Sequence, residues 1–404
     1  MLETIIGRIR TERPDARFHV YSYYPQDDRK LIRDPGLTLH SSTPAALVFW
    51  LLPCSLLFGL VVRLFGRGAL KFSPAAITAL AESDALVDLA GVSFIDGRER
   101  FLPFNVLTLL PAWLLGIPVA KMPQAIGPFA KPLNHALARF MLPRCRIVWA
   151  RGAKTKEYLD QAGFDGLTVF QADDIAFNHC DAYALTDEGR EGVASGLVRV
   201  DRLRSGVRGV IGICPSSVVA VQSAKRQGNY EAVLADLVRA LTTNGFLVVL
   251  FPNATRGIDP VAQRNNDLPL LRRLQSAVRG AGPEPVVFDF DVNATAIKQI
   301  IAAMDVVLVS RFHAMVGALS LAVPAAVLGW SHKYAEVMAR FGLEHNVMDY
   351  EQLEGAELLG RVTSVFEQRQ AMHAAIVEHL PAIKASADRP VAALLSPSLG
   401  ADFE

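Results

Sequence analysis

Short aliphatic runs recur along this chain, each closed by a polar turn and separated from the next by residues at helical spacing. Such alternation confines a sequence to parallel sheets covered by helices on both faces. The runs form two series. Ala85 to Leu89, Ile117 to Met122, Arg146 to Ala150 and Val169 to Ala176 make the first, preceded by a helix over Leu2 to Thr11, a strand over Arg17 to Tyr23 and a polar loop over Pro25 to Thr43. Val207 to Cys214, Phe246 to Phe251, Pro285 to Phe290, Val306 to Val309 and Val323 to Leu328 make the second, with helices expected near Tyr230 to Thr242, Leu268 to Val278 and Asn293 to Met304. Between them, Asp181 to Arg208 is polar and carries Gly189, Gly192, Gly196 and Gly206, the signature of a junction. A chain of 404 residues exceeds one ordinary core. The expectation is therefore an α/β protein of two Rossmann-like, doubly wound domains facing a cleft, residues 1–195 and 196–404.

Composition removes several classes of function. Forty-one Lys and Arg against forty Asp and Glu give a formal charge of +1, so no global field recruits nucleic acid or lipid, and any anion site must be local. Cys54, Cys145, Cys180 and Cys214 are scattered, without the spacing of a zinc site or a disulfide framework. Glu3, Arg8, Arg10, Glu12 and Arg13 interrupt the first residues, which excludes the apolar core of a signal peptide there and suggests a cytoplasmic location. Pro44 to Val62 holds nineteen uncharged residues, broken by Pro53 and Gly59 and followed by Arg63, Arg67 and Lys71. It reads either as buried core helix or as an element resting on the inner face of the membrane. Phe101 to Ala120, with three prolines, reads as a helix and then a buried strand.

The chemistry concentrates at Asp305 to Ala314, where the strand Val306 to Val309 ends in Ser310-Arg311-Phe312-His313 before a helix of small and apolar residues. Charge at the carboxyl end of a parallel strand usually faces a ligand. Arg311 offers a planar fork for phosphate or carboxylate, and His313 a proton near neutral pH. The alternative is an arginine in an ion pair beside a helix-capping histidine.

Several ordered pieces resemble the polysaccharide pyruvyl transferase family. They are S-R-F-H-A at Ser310 to Ala314, the apolar helix after it and G-W-S-H-K-Y-A-E with Lys333. Upstream lie M-P-Q-A-I-G-P-F with Gln124 and Gly127-Pro128, W-A-R-G-A-K-T-K-E-Y-L with Arg151, and Q-A-D-D-I-A-F. The match runs from about Ala85 to Leu343 in the family's order. Two positions depart from it: Gly152 stands where an acid is more common, and Val92-Ser93 replaces a Gly-Asp type pair in the loop that holds Asp96.

The resemblance implies a glycosyltransferase-B-like pair of domains, with the acceptor on the N-terminal side and phosphoenolpyruvate on the C-terminal side. It implies transfer of a pyruvyl group to two hydroxyls of a sugar, leaving a ketal and phosphate. Arg311 and Arg151 then bind the anionic groups of phosphoenolpyruvate from opposite domains, Lys333 adds charge against phosphate, and His313 is the acid. Asp96 and Gln124 are candidates for acceptor binding, although Gln124 with Gly127-Pro128 would equally form a tight turn. The scheme needs no cofactor and no metal. The acceptor is a sugar or glycan, either free or linked to lipid.

Members of such a family usually open on an apolar strand and a glycine-bearing loop, whereas this sequence opens inside a helix. Either a first strand of the N-terminal sheet is missing from this sequence, or the chain is a variant in which another segment covers the exposed edge. Two other functions fit the same architecture. A nucleotide-sugar glycosyltransferase would use Arg311 and Lys333 on a diphosphate and Glu336 on ribose; a non-catalytic membrane-associated partner in polysaccharide assembly would rest on Pro44 to Val62.

Overall fold

A computed structural model describes the chain except for residues 33, 180–183, 185, 257–264, 281, 330–331, 353–354 and 397–404. Cys180 and the Trp330-Ser331 pair of the G-W-S-H motif lie outside the described residues. The chain divides into two compact units, Met1–Ile175 together with the residues from Ala385 onward, and Ala176–Lys384. The expected junction lies inside the second unit, and the physical reason is local. Residues read as loop form a helix, Arg190–Arg204. Gly192 and Gly196 are its contact positions, since a Cβ there would stand 2.5 Å from the ring of Phe290 and 2.4 Å from that of Phe288.

In the first unit, β1 (Phe18–Ser22) and β2 (Leu37–Ser41) pair in parallel as a separate two-stranded sheet. The expected polar loop thus contains a helix, Pro25–Leu31, and a strand. Five residues beside Pro35-Gly36 show too little alternation to announce that strand, which pairing of Val20 with Leu39 fixes. The main sheet contains β3 (Leu86–Asp88), β4 (Val92–Ser93), β5 (Val119–Ile126), β6 (Ile147–Arg151) and β7 (Val169–Ala172). Its order is β3-β5-β6-β7, with β4 also on β5, and every pairing is parallel. The opening helix, Leu2–Glu12, buries Thr4, Ile5 and Ile6. Ile5 packs with Met122, Ile175 and Val391, the last of these from the C-terminal helix.

β5 carries an irregularity in its pairing with β6. Pairing with β6 advances from Lys121↔Val148 to Gln124↔Ala150, so β5 has one residue more than its partner. Pro123 lies within that step and has no N–H to donate, which accounts for a bulge. In a regular strand residues three apart point to opposite faces. The extra residue brings Lys121 and Gln124 to the same carboxylate, that of Asp88.

The second unit is a six-stranded parallel sheet of β8 (Val210–Cys214), β9 (Leu247–Leu250), β10 (Val286–Val287), β11 (Val306–Val309), β12 (Ala325–Gly329) and β13 (Val347–Asp349). Its order β10-β9-β8-β11-β12-β13 is that of a dinucleotide-fold sheet, with the reversal of direction between β8 and β11. Val306 to Val309 are fully covered, as the uninterrupted aliphatic run requires.

Candidate functional site

At the carboxyl end of β11 the chain turns into the helix Phe312–Ser320, with Arg311 as the flanking extended residue. The Arg311 side chain does not simply project outward. Its Nε donates to Asp267 Oδ2 at 3.0 Å and its Nη2 to Ser217 Oγ at 2.9 Å, while Asp267 is 0% exposed. The same carboxylate accepts the N–H of Ser217 at 2.9 Å and of Ala254 at 3.0 Å. Asp267 therefore ties together the turns that follow β8, β9 and β11, on both sides of the topological switch. Nη1 of Arg311 has no partner among the described residues, so the pair fixes the guanidinium plane and leaves one amino group for an anion.

Electrostatics around this hub follow from burial. Desolvation would lower the Arg311 pKa, but the adjacent Asp267 charge outweighs it and the guanidinium stays ionised. Burial, and then the Asp267 charge, push the Cys214 thiol well above its ordinary range, leaving it protonated. Tyr230 donates to Ser310 Oγ at 2.8 Å and accepts the N–H of Ser216 at 3.1 Å, and Tyr334 donates to the Ser310 carbonyl at 3.2 Å. Two phenols thus hold the residue before Arg311.

His313 is exposed in the first turn of the helix, with its ring edge-on to Phe312 at 5.5 Å. Lys333, half-buried in the helix His332–Ala339, holds its ammonium over the same Phe312 ring at 4.9 Å. Phe312 is the common neighbour that gathers the two. Asp267 offsets the Arg311 charge, and the Lys333 ammonium and the His313 ring stand on either side of Phe312 at the same strand end. Glu336 lies one turn beyond Lys333 on the same helix and is half-buried.

The first unit holds Arg151, Gln124 and Asp96. Arg151 ends β6 and donates to Asp174 Oδ2 at 2.9 Å; the side chains are 6% and 0% exposed. Gly152 follows at φ 81°, ψ 172° and starts the helix Ala153–Ala162. Only glycine holds that conformation without strain, which explains why no acid stands there. Gln124 is fully buried: its Oε1 accepts from Ser93 Oγ at 2.6 Å and its Nε2 donates to Asp88 Oδ2 at 3.2 Å. Asp88 also pairs with Lys121. Asp96 accepts the N–H of Ala130 at 2.7 Å and of Lys131 at 3.2 Å, and Nδ2 of Asn134 at 2.9 Å. It anchors the start of the helix Pro132–Met141, which follows the cis Gly127-Pro128 bond.

Sequence reasoning brought Arg311, His313 and Lys333 to one place; the structure sets His313 and Lys333 against Phe312, while the Arg311 side chain turns to Asp267 and Ser217. It missed Asp267, Ser217, Tyr230 and the Asp88–Lys121 pair. Asp267 stands directly before Leu268-Pro269, where an acid reads as the cap of the following helix; its side chain makes no cap bond and turns back to Arg311 instead. Lys121 carried a usable signal, a lysine inside an otherwise apolar strand.

Two Rossmann-like units, the second with its charged residues at the switch point, define a protein of the glycosyltransferase-B-like fold class. Solved structures agree. The chain is similar to a putative UDP-N-acetylglucosamine 2-epimerase from Listeria monocytogenes, at TM-score 0.54 and 12% identity over 90% of this chain and 82% of that one. It is also similar to an α,α-trehalose-phosphate synthase (UDP-forming) from Burkholderia vietnamiensis, at TM-score 0.53 and 12% identity over 99% and 95%. At these identities the likeness is one of fold. The model of the polysaccharide pyruvyl transferase family matches residues 1–332, and the chain belongs to that family. It is a transferase of polysaccharide synthesis, acting on a sugar or polysaccharide acceptor.

Proposed function

We propose that the chain transfers the pyruvyl group of phosphoenolpyruvate to two hydroxyls of one sugar in the cytoplasm, forming a ketal and releasing phosphate without a cofactor. The observation that carries this reading is the grouping of His313 and Lys333 around Phe312, beside an Arg311 whose guanidinium is fixed by Asp267. Nη1 of Arg311 and the Lys333 ammonium suit a substrate bearing both phosphate and carboxylate. His313 delivers a proton to the methylene carbon, which becomes methyl and leaves the neighbouring carbon electrophilic. The first hydroxyl adds there and loses its proton. The carbon–oxygen bond to phosphate then breaks, with Lys333 stabilising the departing charge, and the second hydroxyl adds and loses its proton to close the ketal. Arg151, held by Asp174 at the end of β6, binds an anionic group of the substrate in this reading, and Gln124 and Asp96 shape the acceptor side by holding the ends of β5 and of the helix Pro132–Met141.

Phosphate release measured with phosphoenolpyruvate and candidate glycans tests the proposal. His313→Ala should lower the rate by about a hundredfold or more while phosphoenolpyruvate still raises the melting temperature. An unchanged rate would remove His313 as the acid. Stabilisation by UDP and none by phosphoenolpyruvate would favour a nucleotide-sugar donor instead.

A further inference from the structure

The helical segment Pro44–Phe65 turns its apolar side the wrong way for a water-soluble surface. Leu47, Leu51, Ser55 and Gly59, four residues apart, are buried, and Leu47 and Leu51 pack with Ile77. Gly59 lets the helix touch the backbone of the next layer, since a Cβ there would stand 2.5 Å from the Leu114 carbonyl oxygen. The opposite side is apolar as well and open to solvent: Phe49 is 79% exposed, Leu64 67% and Phe65 76%, with Leu56, Leu57 and Leu60 between them. Phe72, in the turn that follows, is 77% exposed. Single exposed apolar residues are ordinary; a contiguous side of a helix made of them marks a contact surface.

Charge selects the occupant. Arg63, Arg67 and Lys71 stand exposed at the end of this segment, and no Asp or Glu occurs from Pro35 to Ala81. Two copies meeting through this side would bring like charges together, and an ordinary protein partner would not require every acid to be excluded. An apolar strip with basic residues along its rim matches the interface of a bilayer rich in anionic headgroups. We propose that residues 44–72 are an interfacial anchor that lays the first unit on an anionic lipid surface. The segment has the length and hydropathy of a membrane span, its most apolar 18 residues having mean hydropathy 2.4 and being 22% buried. Crossing the bilayer would strip Leu47, Leu51 and Gly59 from the unit on which they pack, so the helix lies in the interface plane. This inference stands independently of the donor substrate.

The test is flotation of the full chain with vesicles of phosphatidylcholine, alone or mixed with phosphatidylglycerol. The wild type should float with the mixed vesicles and be released by alkaline carbonate. Replacing Arg63, Arg67 and Lys71 together by Gln should weaken binding about a hundredfold, at roughly fivefold per cation. Replacing Leu57, Leu60 and Leu64 together by Gln should abolish it with circular dichroism unchanged. Wild-type protein that stays with the buffer in both preparations would overturn the proposal, even where a variant fails to fold. So would resistance to carbonate, which indicates a span, or a discrete dimer in light scattering that the leucine substitutions split, which indicates a second copy as the occupant.

Discussion

A carboxylate that nothing exposes to solvent decides how the arginine of the S-R-F-H turn behaves. Asp267 accepts from three elements at once, so its removal leaves the Arg311 charge buried without compensation. Asp267→Asn is expected to cost about 3–5 kcal/mol, the range for breaking a buried ion pair by deleting one partner. Urea denaturation checks this, and the double variant Asp267→Asn, Arg311→Met should recover part of the loss. An unchanged urea midpoint in the single variant would show that the pair is not the tie described. The turn itself was legible, because an aliphatic strand, two charged groups and an apolar helix are contiguous in sequence. Its partner was not: forty-four residues separate Asp267 from Arg311, and no local pattern distinguishes a cap from a buried counter-charge.

Among the elements, the bulge in β5 has the clearest energetic reading. Burial alone would raise the Asp88 pKa; the charge and hydrogen bond of Lys121, with help from Ala90 N–H and Gln124, hold it below its ordinary 3.8. A carboxyl depressed in the folded state adds stability above its unfolded pKa, and that contribution is lost as pH falls through the lower folded value. Lys121→Met leaves only the Ala90 and Gln124 hydrogen bonds against burial, the largest influence on this carboxyl, so the folded pKa rises above the unfolded one and the sign inverts. Between about pH 4 and pH 7 the urea midpoint of the variant should fall relative to wild type, and curves that stay parallel would contradict the pairing. Aliphatic strands were read correctly to within a few residues, since fully covered parallel strands announce themselves by composition. The strand Leu37–Ser41 and the helix Arg190–Arg204 were not, one for its brevity and the other because glycines that seat phenylalanine rings look like turn residues. The bulge was also hidden. Pro123 within a strand suggests one, but which side chains it brings together depends on a partner strand more than twenty residues away.

For the whole molecule, the long helix Arg369–Leu395 begins in the second unit and ends in the first. Val391 packs with Ile5, Met122 and Ile175, and Ala393 with Trp149 and Ala172. Deleting the chain after Lys384 should lower the melting transition of the first unit, followed through the environment of Trp149, while the second unit keeps its own transition. Equal loss in both, or none, would show that these contacts carry no weight. Two-domain architecture was readable from the two series of strands, but the return of the C-terminus to the first sheet was not, because it depends on one helix face with no motif. That return sets a timetable. Ribosomes deliver the amino-terminal unit first, yet one side of its core waits for residues made after all of the second unit has emerged. A nascent or prematurely ended chain therefore leaves Met122 and Ile175 without their cover from Val391, which makes early engagement by a chaperone the route on which its yield depends.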